Sequence, residues 1–193
     1  MESNFSGKIE AGIDEVGRGA LAGPVVAAAV ILPKDFKSEN IKDSKKLTER
    51  RRKIAFEEIK ENAIAWAVSF VDPQSIDKIN IQNATFAAMH ESVNKLDVKP
   101  EFLLVDGNVF EPYEDIPYET ITKGDDKYLS IAAASVIAKV IRDEYMTKIH
   151  ERFPQYGWGS NKGYGSKQHR DTIQEQGITQ FHRKSFLKNI LQS

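Results

Sequence analysis

The sequence has 193 residues, of which 40% are hydrophobic and 28% are charged, and its formal net charge is −1. This composition is ordinary for a globular protein long enough to bury a core, and no apolar run approaches the ~20 residues of a membrane span. The absence of cysteine excludes disulfides, thiolate zinc sites and catalytic thiols. We therefore expect a single domain over residues 1–193, located in the cytoplasm.

Hydrophobic patterns predict an α/β fold with a mixed sheet, because a hairpin begins the chain and helices separate the later strands. The predicted strands cover residues 8–14, 24–32, 63–71, 101–106 and 118–122, and the predicted helices cover 48–62, 76–96 and 128–150. The second strand is apolar throughout, which indicates that both of its faces are covered. Thr48 is the expected N-cap of the first helix, Asp72-Pro73 is a helix-start signal, and three side chains of the first helix are expected to face inward: Ile54, Phe56 and Ile59.

The charge is unevenly distributed along the chain. Residues 1–122 carry 15 lysines and arginines against 21 acidic residues, whereas residues 123–193 carry 12 against 7. An acidic body with a basic C-terminal third is typical of a protein that holds cations at one place and a polyanion at another. Ordinary scatter of surface charge explains the asymmetry equally well, so both interpretations stay open.

The most informative stretch is 11–24, AGIDEVGRGALAGP, in which two adjacent acids follow a strand pattern and a glycine-rich turn comes next. Carboxylates repel phosphate, so a phosphate-binding loop would not begin with two of them unless a cation lies between. The stretch indicates a divalent-metal site beside a backbone surface that accepts a phosphodiester. A hairpin turn with a solvated acidic pair is the alternative, whereas a dinucleotide-binding loop is disfavoured because an apolar strand follows.

Four acids share one kind of position, at the end of a predicted strand with a glycine within two residues: Asp14, Glu15, Asp106 and Asp125. If their strands are neighbours, these carboxylates converge, and oxygen ligands select Mg²⁺ or Mn²⁺. Two such ions about 3.5–4 Å apart would activate a water and stabilise the leaving oxygen in phosphodiester hydrolysis. Because consecutive strand residues point to opposite faces, we expect at least one of Asp14 and Glu15 to lie beyond the strand end.

Motifs along nearly the whole chain resemble those of the ribonuclease HII family, also called type 2 ribonuclease H. They cover residues 12–24, 43–47, 80–85, 104–107, 123–125, 130–143, 162–169 and 182–186, in the order found in that family. The resemblance implies a ribonuclease H-like fold with a mixed five-stranded sheet flanked by helices. A short C-terminal appendage of helices and loops, the basic segment of about 151–193, would complete it.

The resemblance also implies the activity. It points to an endonuclease that hydrolyses the RNA strand of RNA/DNA hybrids and cuts 5′ of single ribonucleotides embedded in duplex DNA, as in ribonucleotide excision repair. The products would carry 3′-hydroxyl and 5′-phosphate ends, and the cofactor would be Mg²⁺ or Mn²⁺, with two ions when substrate is bound. The implied partners are the hybrid and the ribonucleotide-containing duplex, and we expect a monomer without membrane contacts.

The family motifs assign roles to individual residues. The metal-binding and catalytic residues would be Asp14, Glu15, Asp106 and Asp125. Gly17, Arg18 and Gly19 would contact the ribose-phosphate junction, whereas Ser44, Lys45 and Asn83 would contact phosphates. The ring of Tyr164 would stack on the deoxyribose that follows the ribonucleotide, the alternative being a tyrosine packed under the C-terminal segment. Lys45 could equally be a solvated surface lysine, and His169 and His182 stay open between catalysis and structure.

Two alternatives accompany this interpretation. The first is a nucleic-acid-binding module with the same fold and no activity, which would gain nothing from four acids beside a polyanion. The second is the related ribonuclease HIII, which carries an additional N-terminal domain, and the residues before position 11 leave no room for one. The chain also stops shortly after the last motif, so we expect the further C-terminal nucleic-acid-binding helices of some relatives to be absent or truncated.

Overall fold

A computed structural model of the chain describes residues 1–41 and 47–191. Its centre is a five-stranded sheet with the strand order β3-β2-β1-β4-β5. The strands are β1 (Glu10–Val16), β2 (Val25–Ile31), β3 (Ala65–Val71), β4 (Phe102–Asp106) and β5 (Tyr118–Ile121). The first three strands pair antiparallel, and β4 lies parallel to both β1 and β5. The predicted mixed sheet is therefore confirmed.

Helices cover both faces of the sheet. The three long helices are α1 (Glu49–Asn62), α2 (Pro73–Asn94) and α3 (Leu129–His150), and the C-terminal ones are α4 (Trp158–Asn161), α5 (Lys167–Gln176) and α6 (Lys188–Leu191). Side chains of β2 alternate between a core under α2 and a core under α1 and α3, so this strand is covered on both faces, as predicted. No helix in the described part of the chain is long and apolar enough to cross a membrane.

Small residues bring α3 unusually close to β1. Gly12 lies under the first turn of α3, and a Cβ atom at this position would stand 2.1 Å from the backbone carbon of Ser130. The run Ala132–Ala134 is fully buried in the same contact. The close approach places Ser135, one turn further along α3, beside the carboxylate of Asp14.

Two local expectations are wrong. Both Asp14 and Glu15 lie within β1, because antiparallel pairing with β2 continues to Val16. Ile54 is 49% exposed, because the helical phase turns Ala55 and Ile59 inward instead. The helix-start signal at Asp72-Pro73 is confirmed, because α2 begins at Pro73 with Asp72 as its N-cap, three residues before the predicted helical pattern.

The N-cap of α2 offers a direct test of a local interaction. The Asp72 carboxylate accepts hydrogen bonds from the backbone N–H of Ser75 at 2.8 Å and from its hydroxyl at 3.0 Å. Asp72→Ala is expected to lower the free energy of unfolding by about 1 kcal/mol, since an orphan helix N–H loses its acceptor. Chemical denaturation measures this change, with the exposed Asp97→Ala as the control variant. Equal stability of the two variants would show that the cap contributes nothing.

Candidate active site

Three acids surround the carboxyl end of two neighbouring parallel strands. β1 pairs with β4 only as far as Ile13 and Val105. Beyond that point β1, which includes Asp14 and Glu15, pairs with β2 alone. Asp106 is the last residue of β4. The carboxyl ends of parallel strands are where binding sites form in open α/β sheets, and the strand order therefore brings these acids together as predicted.

Asp14 faces α3 and is buried, with 5% of its surface exposed. One of its oxygens accepts the backbone N–H of Glu15 at 2.7 Å, and the hydroxyl of Ser135 hydrogen-bonds to the carboxylate. Burial raises the pKa of Asp14 well above its usual value, and the negative charges of Glu15 and Asp106 raise it further. Three acidic side chains are therefore close enough to one another for their charges to interact.

Glu15 points to the opposite face of the sheet, toward α2. It lines a cavity of about 120 Å³ with Asp106, Gln82, Thr85 and Asn108. Burial raises the pKa of Glu15, and Arg18, whose Nη1 atom lies 3.4 Å from Oε1, opposes that rise. The negative charge of Asp106 acts on both Asp14 and Glu15, which places it between the two faces.

Asp125 approaches the same strand end from a 3₁₀ turn, Gly124–Asp126, that follows β5. The backbone N–H of Gly124 donates to Oδ1 of Asp106 at 2.7 Å, so the turn is in direct contact with the acid of β4. The Asp125 side chain is buried, with 4% exposed. The four predicted carboxylates thus come from three neighbouring strands or the turn after them.

The donor set suits a hard divalent cation, because it consists of carboxylate oxygens whose mutual repulsion a cation would relieve. Across residues 1–41 and 47–191, no three Asp, Glu or His side chains already stand close enough together to hold an ion. Mg²⁺ is usually bound by one or two carboxylates together with waters and substrate phosphates. The acids therefore fit a metal site that the substrate and side-chain rotation would complete.

The loop after β1 presents backbone rather than side chains. Gly17 has a φ of 91°, in the left-handed region that favours glycine, and a Cβ at Gly19 would meet no atom within 4 Å. Within the described ranges, the N–H groups of Arg18 and Gly19 donate to no protein acceptor. This part of the predicted binding surface is open, and it adjoins Glu15 through Arg18.

The remaining predicted binding residues lie around this loop or outside the described residues. Tyr164 is 37% exposed, and its hydroxyl has no hydrogen-bond partner among the residues described, so it is not packed under the C-terminal segment. Asn83 is exposed on α2, just after a break at Asn80, whose side chain accepts the Asn83 N–H at 3.0 Å. Ser44 and Lys45 fall at positions 42–46, outside the described part of the chain.

The two conspicuous histidines form a buried network that ends at Tyr164. The backbone N–H of Thr179 donates to Nδ1 of His182, whose Nε2 lies 3.1 Å from Nε2 of His169. Nδ1 of His169 lies 2.9 Å from the carbonyl oxygen of Tyr164 and donates a hydrogen bond to it. Burial lowers the pKa of both rings, that of His182 to about 4 with a contribution from His169, so both are neutral at neutral pH. The pair positions the Tyr164 backbone.

The sequence analysis missed three residues of this region. Ser135 contacts Asp14, and the fully buried Arg142 and Arg183 contact the loop after β1. The sequence offered one signal for Arg142. This arginine lies in a mostly apolar helix, and a buried arginine needs polar partners. Nothing in the spacing indicated which partners these are.

The comparisons with known proteins agree with this geometry. The ribonuclease HII family model matches residues 11–189. Ribonuclease HII of Bacteroides thetaiotaomicron is 58% identical over 178 residues, which are 92% of this chain and 89% of the relative. The crystal structure of ribonuclease H2 from Pyrococcus horikoshii has a TM-score of 0.80 at 25% identity, covering 95% of this chain and 97% of that one. A Bst ribonuclease HIII structure in complex with Mn²⁺ shares the fold, with a TM-score of 0.72 at 20% identity over 95% of this chain and 69% of that one. The chain belongs to the ribonuclease HII family.

Proposed function

We propose that this metal-dependent endoribonuclease, which hydrolyses the RNA strand of RNA/DNA hybrids, also cuts 5′ of single ribonucleotides embedded in duplex DNA. The products carry 3′-hydroxyl and 5′-phosphate ends. The observation that carries the proposal is the open loop at Gly17, Arg18 and Gly19, which adjoins Glu15 through Arg18 and in which the N–H groups of Arg18 and Gly19 meet no protein acceptor among the described residues. A backbone surface of this kind can approach one sugar closely enough to read a single 2′-hydroxyl.

In this proposal the carboxylates hold the metal cofactor, and the packing around them limits the access of water. Asp14, Glu15, Asp106 and Asp125 hold Mg²⁺ or Mn²⁺, as two ions when substrate is present. Bound there, the ions lower the pKa of the attacking water and stabilise the leaving 3′ oxygen. The contact of α3 with Asp14 keeps bulk water from that face, and the cavity beside Glu15 leaves space on the other face for phosphate oxygens.

The remaining residues recognise the strand. The backbone of Gly17, Arg18 and Gly19 contacts the ribose and its phosphate, and the half-exposed Tyr164 ring stacks on the following deoxyribose. Asn83, Ser44 and Lys45 contact neighbouring phosphates, and the basic segment 151–193 adds attraction to the duplex.

The cellular setting follows from the substrate. We place the enzyme in the cytoplasm of the cell, where bacterial DNA is replicated and where embedded ribonucleotides are removed by excision repair. We propose that it acts there as a monomer and without membrane contacts.

One cleavage assay tests the proposal. A labelled duplex with a single ribonucleotide, an RNA/DNA hybrid and an all-DNA duplex of the same sequence are incubated with the protein and Mg²⁺ or Mn²⁺. We expect one cut 5′ of the ribonucleotide, with a 3′-hydroxyl end that a polymerase extends, and no cut in the all-DNA control. Cleavage of the hybrid without cleavage of the embedded ribonucleotide would overturn the proposal.

A further inference from the structure

Two arginines are buried behind the loop that follows β1. Arg142 on α3 and Arg183 before the 3₁₀ turn Lys184–Phe186 are both fully buried. In the part of the chain that the structure describes, neither forms a salt bridge, and Nη2 of Arg183 has no acceptor. Burial, with the neighbouring charge of Arg142, lowers the pKa of Arg183 to about 9. Buried charges are costly unless their hydrogen bonds serve a purpose.

Every hydrogen bond that Arg142 donates goes to a backbone carbonyl. Nε donates at 2.9 Å, Nη2 at 3.2 Å and Nη1 at 2.9 Å, to the carbonyl oxygens of Pro24, Ala22 and Lys162 respectively. The first two acceptors belong to the loop after β1, whereas Lys162 belongs to the loop that carries Tyr164. The same guanidinium lies 5.4 Å from the centre of the Tyr164 ring. Arg142 therefore contacts both loops at once.

Arg183 also contacts the loop after β1. Its Nε donates to the carbonyl oxygen of Gly23 at 2.9 Å, and its Nη1 donates to that of Arg18 at 2.8 Å. Its own N–H donates to the carbonyl oxygen of Leu21 at 2.9 Å. The carbonyls of Arg18, Leu21 and Gly23 are thus bonded inside the protein, while the N–H groups of Arg18 and Gly19 meet no acceptor among the described residues.

The loop is shaped around these side chains. A Cβ atom at Gly17 would lie 2.2 Å from Nε of Arg142, and the N–H groups of Leu21 and Ala22 donate to the carbonyl oxygen of Gly163 at 2.8 and 3.2 Å. Only a planar guanidinium with forked donors can contact several carbonyls at fixed angles, which a lysine ammonium cannot do. The geometry of the two loops therefore depends on the arginines and not on positive charge alone.

We propose that Arg142 and Arg183 are positioning residues that set the spacing between the Gly17-Arg18-Gly19 backbone and the Tyr164 ring. That spacing sets the preference for a ribonucleotide followed by a deoxyribonucleotide over continuous RNA. The inference rests on the proposed function, since it assigns the two loops to the two sugars. The inference assigns a role in substrate selection to two residues that contact neither the metal ligands nor the sugars.

The variants Arg142→Lys and Arg183→Lys test the proposal, because they keep the charge and remove the forked donors. The control is Ile59→Val, which perturbs a fully buried side chain of α1 in another part of the core. The measurement is kcat/KM on a single-ribonucleotide duplex and on an RNA/DNA hybrid, at a temperature where thermal melts show each variant folded. We expect the ratio of the two values to fall roughly tenfold or more in either arginine variant, since small misplacements of binding groups cost that much. The ratio should be unchanged in the control.

The outcomes separate the inference from the proposed function. Wild-type protein that cuts hybrids but not embedded ribonucleotides would overturn both. Wild-type protein that cuts both substrates, with arginine variants that lose equal activity on the two, would overturn the inference alone and show a purely structural role. If one variant does not fold, the other gives the same test, because each arginine contacts the loop independently.

Discussion

Asp106→Asn is expected to reduce hybrid cleavage by orders of magnitude while the fold persists. Asparagine keeps the shape of the side chain, and its carbonyl oxygen can still accept the N–H of Gly124, now 2.7 Å from Oδ1. The substitution removes one negative charge at the carboxyl end of β4, where we propose that a divalent cation binds. Steady-state cleavage of a labelled hybrid measures the loss, and a chelator should abolish wild-type cleavage until Mg²⁺ or Mn²⁺ is added back.

A stability measurement accompanies this test. Because Asp106 raises the pKa of both Asp14 and Glu15 by repulsion, its neutralisation should leave the melting temperature unchanged or higher. The exposed Asp115→Asn provides a matched control for the chemical change and should cleave normally. Nearly normal cleavage by Asp106→Asn would remove Asp106 from the metal site.

Tyr164→Ala is expected to reduce cleavage at a single embedded ribonucleotide by roughly ten- to hundredfold, the size of a lost stacking contact. The backbone of Tyr164 is fixed, because its N–H donates to the carbonyl oxygen of Asn161 at 2.9 Å and its own carbonyl accepts from His169. The ring is therefore presented at a defined place while it remains 37% exposed. Tyr164→Phe should retain most of the activity, since stacking uses the ring and not the hydroxyl.

The control for the tyrosine variants is another exposed aromatic ring. Phe5 is 45% exposed and packs against Phe102, at the opposite end of β4 from Asp106. Phe5→Ala should leave cleavage unchanged, and circular dichroism melts should show Tyr164→Ala folded. Full cleavage of the single-ribonucleotide duplex by Tyr164→Ala would show that this residue has only a structural role.

The strands were predictable because their signals are local. The apolar run of β2 and the breaks at Asp72-Pro73 and Asp106-Gly107 each lie within a few residues, and all five strands are found within two residues of their predicted ends. The errors come from tertiary structure. Pairing with β2 extends β1 past both acids. The break at Asn80, where φ is 67°, was not predicted either.

The candidate site was predictable only where its signals are local. Carboxylates at strand ends are visible in a sequence, so the convergence of Asp14, Glu15 and Asp106 could be expected from strand order. Arg142 and Arg183 could not be assigned, because their partners are backbone carbonyls far away in the chain. Membership of the ribonuclease HII family sets aside both the inactive binding module and ribonuclease HIII. The single domain and the roles of individual site residues stay predictions.

The contact between Arg183 and Arg18 spans 165 residues. During synthesis the loop after β1 therefore emerges from the ribosome early, whereas Arg183, which contacts it, is added only near the end of the chain. Until then the carbonyls that Arg183 later contacts have no such donor, although the acids of β1 already exist. Loop closure over such a separation is slow compared with local helix formation. A nascent chain would thus contain the acids of β1 long before the donor that fixes the neighbouring loop, so this loop can reach its final conformation only after Arg183 has been synthesised.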